Sequence, residues 1–484
     1  MKHSLAILLL LQATLLFMGC ADDDGFTTSP THFLSFSVDS VKLDTVFSRV
    51  PSSTRTFWVY NKSGDGIRCS SVRLAQGNQT GFRVNVDGIY LGATEGFQTS
   101  EIEVRNKDSI RVFVELTAPQ NGQSQPQELT DDLVFSLESG AEQRMPLQAF
   151  VWDAQLLRDV HIARDTVFSD TKPMVVYGGL TVEEGATLEL RGTTLYFHAD
   201  AGIDVHGRLV TDAADGRETI LRGDRLDRMF DYLPYDRVSG QWRGIRFFPT
   251  SANNEIRHTD IHSGMDAIVC DSAALDTIQP KLTLTHSTIH NCQGYGLLAY
   301  NAYVVVNTCQ ITNTLHDCVA IFGGKADIRN CTLAQFYPFD SARGAALRFA
   351  NTLSDTAAPY PLYGLFSANN IITGYADDVL MGAMDSTQVF NYAFDHCLIR
   401  TTKVETADSV FFQNVIFEDA EDTTQVAKRN FELIDEDNLR YDFKLSEKSR
   451  AINTANPVYA LPDDRLATKR DDQPDMGAYE YVKQ

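Results

Sequence analysis

Asp377 and Asp378 form an adjacent carboxylate pair, the residue type that glycan cleavage needs. Glycosidases place two carboxyl groups a few ångströms apart, one as acid and one as base or nucleophile. Lyases would also want an Arg or Lys near a bound carboxylate. Lys325, Arg329, Arg343 and Arg348 are the candidates in the central stretch, and their spacing matches no lyase motif. Zinc sites need close pairs of Cys or His. Cys309, Cys331 and Cys397 are too far apart in sequence and read as small core hydrophobes. His258, His286 and His396 share one repeat column, but Thr308, Asn330 and Ala368 interrupt it, so a polar ladder is expected rather than a metal site. Asp435-Glu-Asp437, with Asp442 nearby, has calcium-binding residue types but lacks the turn glycine. No catalytic residue, metal or cofactor is therefore assigned. One segment, Asp224 to Trp242, leaves the surrounding pattern and carries Met229-Phe-Asp-Tyr232-Leu-Pro-Tyr235-Asp236. Aromatic rings beside a carboxylate suit sugar stacking and hydroxyl bonding. Tyr232, Tyr235, Asp236 and Trp242 are the candidate ligand contacts; the competing expectation is that this insertion folds back and packs on the outside.

The elements that must position these residues are repeats. Between Asn254 and Arg400 a six-residue pattern recurs: apolar, two variable, small or polar, one variable, apolar. Its copies begin at Ile256, Leu284, Val306, Ile328, Phe366 and Phe394, which lie 28, 22, 22, 38 and 28 residues apart. A period near 22 with insertions is the mark of a solenoid. Each copy is too short and too β-branched for a helix pair, and a second short strand follows in most, such as Val319-Ala-Ile-Phe322. One copy is thus one rung of a parallel β-helix, which buries its inward side chains only against the rungs above and below. Thr259, Ser287, Cys309, Cys331, Asn369 and Cys397 should form one ladder, and Ile261, Ile289, Ile311, Leu333, Ile371 and Ile399 another. About ten rungs are expected.

Upstream, short alternating segments from Phe33 to Ser136 are separated by Gly64-Asp-Gly66 and Asp87-Gly88, which suggests a β-sandwich. Leu43-Asp-Thr-Val-Phe47 and Phe57-Trp-Val-Tyr-Asn61 resemble an immunoglobulin-like domain of bacterial surface proteins. Such a domain usually serves as a spacer. Gly179 to Leu190, Gly202 to Leu209 and Gly240 to Phe247 resemble the opening rungs of right-handed parallel β-helix surface proteins. Arg470 and Pro474-Asp-Met-Gly-Ala-Tyr-Glu-Tyr481 resemble the terminal motif of the same family. The expected class is all-β, with a sandwich at 30–152, a β-helix at 155–445 and a capping segment at 446–484.

Met1 to Cys20 has a basic start and an apolar run too short to span a bilayer. Its end, Leu16-Phe-Met-Gly19-Cys20, resembles a bacterial lipoprotein box with Cys20 as the lipidated residue. The acidic Ala21-Asp-Asp-Asp24, in a linker at 20–29, resembles the export tag of surface lipoproteins of Gram-negative bacteria. The resemblance implies an outer-membrane anchor, facing outward. A net charge of −22 argues against nucleic acid as a partner. The expected function is non-catalytic binding or adhesion at the cell surface, with a polysaccharide or surface partner; the alternative is a carbohydrate-active enzyme, lyase or hydrolase, on the same scaffold.

Overall fold

The computed structural model describes residues 25–230, 232–353, 360–419 and 426–483. Cys20 and the expected export segment before it lie outside the described residues. Among those described, no helix is long and apolar enough to cross a membrane. The chain divides into two compact units at Asp153/Ala154.

The first unit is a β-sandwich. One sheet pairs Leu34–Phe36, Arg55–Asn61, Ser109–Leu116, Phe82–Val86 and Ile89–Tyr90. The other is built from Val41–Phe47, Glu142–Trp152, Gln127–Leu137 and Ile67–Leu74. Alternate residues of each strand face inward, as the period of two requires. Phe57, Val59, Val84, Val112, Leu133, Phe135 and Leu147 meet in one core.

The second unit is a right-handed parallel β-helix with three strand columns, the hand that parallel crossovers almost always take. The first column runs from the start of Gln155–Ile162 through Thr194–Phe197, Thr219–Gly223, Thr259–His262, Thr288–Cys292, Gln310–Thr314 and Thr332–Gln335 to Ile416–Phe417. Parallel pairing puts like residues on one another. Ile261 pairs with Ile289, Ile289 with Ile311, and Ile311 with Leu333. The next member is Ile372, not Ile371, and Ile372 pairs with Ile399. The repeat there begins one residue late, at Ser367, so the inner ladder holds Asn370 rather than Asn369.

The reason lies at the bend between the third and first columns. His258, His286, Thr308, Asn330, Asn369, His396 and Asn414 all have positive φ, between 43° and 56°. Asn and His tolerate this left-handed conformation better than most residues. Seating Asn369 there leaves Asn370 facing inward, where its Oδ1 accepts from the Cys331 amide at 2.7 Å and its Nδ2 donates to the Ile328 carbonyl at 2.7 Å. Phe366 is displaced to the outside against Tyr459. The histidine column is thus a column of bend residues, continued by Asn369 where Ala368 was expected.

The C-terminal segment closes the helix along its flank. After a hairpin of Phe431–Asp435 and Arg440–Leu445, the chain runs back over the outer face of the first column. The Gly477 amide donates to the Asn369 carbonyl, the Ala478 amide to Thr332 Oγ1, and the Tyr479 hydroxyl to Gln310 Oε1. A Cβ on Gly477 would sit 2.7 Å from Ile371 and 2.9 Å from Thr332 Oγ1, and its φ is 93°, so only glycine fits. The terminal motif folds on itself. The buried Arg470 guanidinium donates to Glu480 at 3.0 Å and to the carbonyls of Asp475 and Gly477.

Candidate functional site

Side chains alternate along each first-column strand, so residues flanking the inward isoleucines face out. One rung presents Arg222, the next Asp260 and His262, the next Thr288 and His290. Two segments wall this strip. On one side the insertion crosses it, held by Ser239 Oγ to the Tyr337 hydroxyl at 2.8 Å and by Arg237 Nη1 donating to the Asn438 carbonyl at 3.2 Å. On the other side lies the returning tail, where Arg465 Nε donates to Thr288 Oγ1 at 2.9 Å and its Nη1 pairs with Glu218.

A charged cluster results. Asp260 Oδ1 lies 2.9 Å from His262 Nδ1 and 3.2 Å from His290 Nε2. Asp236, from the insertion, lies 3.1 Å from His262 Nε2 and pairs with Arg222. The two imidazoles stack at 4.7 Å. The His262 side chain is 6% exposed, whereas Asp260 and His290 keep 27% and 24%. Burial works against a charged His262, but the carboxylates of Asp260 and Asp236 overcome it and push its pKa up to about 9. Burial would likewise raise Asp260, yet the two histidines hold it well below the usual carboxylate range. The hydrogen bond from His262, aided against burial by Arg222, holds Asp236 below that range. Among the described residues this is a group whose donor atoms could hold a metal ion. Its sequence signal was available: His262 and His290 follow the ladder residues Ile261 and Ile289 at the same offset.

The four expected contacts separate. Trp242 is 1% exposed; its ring stacks on Phe197 at 4.3 Å and its Nε1 donates to the His262 carbonyl at 2.8 Å. It holds the insertion down and offers no ring to a ligand. Tyr235 lies under the Arg225 guanidinium at 3.8 Å, and Arg225 is fixed by both oxygens of Asp227. Asp236 joins the cluster. Tyr232 is 55% exposed and stacks with the equally exposed Phe230 at 5.8 Å, with ring planes 9° apart. The base of the insertion packs on the helix, as the competing expectation had it, while its tip presents rings to solvent.

Other chemical candidates are dispersed. Asp378 caps the Leu380 amide at 3.0 Å. It also lines an apolar opening of about 530 Å³ with Phe349, Phe390, Tyr392 and Phe412. Lys325 donates to the Thr277 carbonyl, Arg329 pairs with Asp327, Arg343 donates to the Tyr337 carbonyl and Arg348 pairs with Asp317. Asp435 caps a turn at Asn438, and Asp442 pairs with Lys444. Cys309, Cys331 and Cys397 are buried free thiols.

Comparison with known proteins agrees with the fold. The family described as right handed beta helix region matches residues 162–333. No curated protein matches the chain. Among solved structures, a family 123 glycoside hydrolase from Clostridium perfringens, studied for glycolipid glycan hydrolysis, is similar at 7% identity with a TM-score of 0.19. The match covers 28% of this chain and 30% of that one, and at that score it carries no argument about fold or activity.

Proposed function

We propose that this protein is anchored by a lipidated Cys20 in the outer membrane, faces outward, and binds a glycan through the insertion without cutting it. The observation that carries the binding reading is the Phe230–Tyr232 pair. Two rings within 9° of parallel stand exposed at the tip of a loop whose base is pinned by Trp242, Arg225 and Asp236. Flat aromatic faces on a fixed base suit the apolar faces of sugar rings. The basic residues that a lyase would employ are each engaged with a carboxylate or carbonyl, which favours binding over elimination chemistry.

Titrating the purified protein with acidic and neutral polysaccharides tests this. Losing one stacking ring should remove roughly 1–1.5 kcal/mol, so Tyr232→Ala should weaken binding about tenfold. Binding unchanged in a Phe230→Ala, Tyr232→Ala double variant refutes the site. Appearance of reducing or unsaturated ends, abolished by Asp377→Ala or Asp378→Ala, replaces the reading with an enzyme. Cys20→Ser should leave the protein unprocessed or released from membranes; normal cleavage with full membrane retention refutes the anchor.

A further inference from the structure

We propose that Asp260, His262 and His290 bind a divalent transition-metal ion of the zinc type, with Asp236 orienting His262 from behind. One carboxylate oxygen and two imidazole nitrogens converge within 4.8 Å of one another. A tetrahedral ion with bonds of about 2.0–2.1 Å sets its ligand atoms about 3.3 Å apart. The oxygen already lies 2.9 and 3.2 Å from the two nitrogens, and the nitrogens lie within 4.8 Å of each other, so the ion would draw the two stacked rings together about an oxygen already at ligand spacing.

The scaffold is built to hold that spacing. His262 and His290 are registered partners on adjacent parallel strands, and Trp242 clamps the His262 carbonyl. Binding would displace the proton that links His262 Nδ1 to Asp260, which passes to solvent, and His290 would coordinate through Nε2 as the neutral tautomer with its proton on Nδ1. His262 then coordinates through Nδ1, and its Nε2–H donates to Asp236. That is the carboxylate–histidine–metal arrangement by which proteins fix the tautomer and the angle of a ligand ring. Nearby cations are already answered, Arg222 by Asp236 and Arg465 by Glu218. Two imidazoles and one carboxylate suit zinc, iron, nickel or copper rather than calcium, whose sites are all oxygen. Three protein ligands leave a fourth position, on the side where Asp260 and His290 remain partly exposed.

The test is calorimetric titration of chelator-treated protein with Zn²⁺, repeated with Co²⁺ for its visible spectrum. One ion per chain is expected. His290→Ala and Asp260→Asn should abolish binding, and Asp236→Asn should weaken it 10- to 100-fold at unchanged stoichiometry. No saturable binding below millimolar Zn²⁺, or binding unaffected by His290→Ala, overturns the proposal. Should those variants misfold, the unaltered protein decides: pulsed EPR of the Cu²⁺-loaded chain must show two coordinated imidazoles, and a signal from one or none overturns it.

Discussion

Trp242 separates a structural role from a ligand-contacting one. A buried tryptophan withdraws about 150–250 Å² from water, and about 25 cal/mol per Å² gives roughly 4–6 kcal/mol as an upper bound. Trp→Ala in cores costs about 3–5 kcal/mol. Trp242→Ala should therefore lower the stability of the β-helix unit by about 3–5 kcal/mol, since the ring is 1% exposed and stacked on Phe197. Trp242→Phe keeps a ring on Phe197 but leaves the His262 carbonyl without its donor, for about 1–3 kcal/mol. Urea unfolding followed by far-UV circular dichroism reads both, from the shift of the helix transition at constant slope. Trp242→Phe should retain glycan affinity within about twofold, because the substituted ring contacts no ligand. A loss below about 0.5 kcal/mol for Trp242→Ala, together with a tenfold loss of affinity for Trp242→Phe, would refute the reasoning and move Trp242 into the binding surface.

Two further outcomes follow from the packing. Glu418 is buried with Asn430 as its donor at 2.8 Å, and burial holds its pKa above the ordinary range. Its protonated form is thus favoured in the folded state, so its contribution is fully present below the unfolded carboxylate pKa and is lost as pH rises through the raised folded value. Glu418→Gln should leave the melting temperature unchanged near pH 4 and raise it at pH 8; a decrease at pH 8 contradicts the assignment. Asn330 sits at a bend with φ of 49° and is fully buried. Asn330→Gly should be tolerated within about 1 kcal/mol, whereas Asn330→Val should cost about 2 kcal/mol or more in urea titration; equal costs would mean that backbone hand does not govern that column.

What could be read in advance was periodic, and what could not was contact between distant segments. The isoleucine ladder was legible because parallel stacking repeats one environment in each rung, and the sequence repeats with it. It slipped by one residue at Asn369-Asn370, where two adjacent asparagines fit two frames. The choice is made by the left-handed bend and by the buried amide of Cys331, which Asn370 Oδ1 satisfies. Neither appears in a hydropathy pattern. The same logic divides the candidate site. His262 and His290 were legible in principle, 28 residues apart at one offset from the ladder, but His258, His286 and His396 make a more conspicuous histidine column at the bend that precedes the same strands. Asp236 and Arg465 were not legible. Each is set beside the strip by a non-repeating segment, and each pairs with a residue of the helix that no spacing rule connects to it. The β-helix supplies a regular outer face, and the irregular insertion and tail turn one stretch of that face into a walled, charged site. Function on this scaffold is therefore to be sought where the repeat is interrupted, because there the insertion and the tail set residues from distant parts of the chain against the regular face.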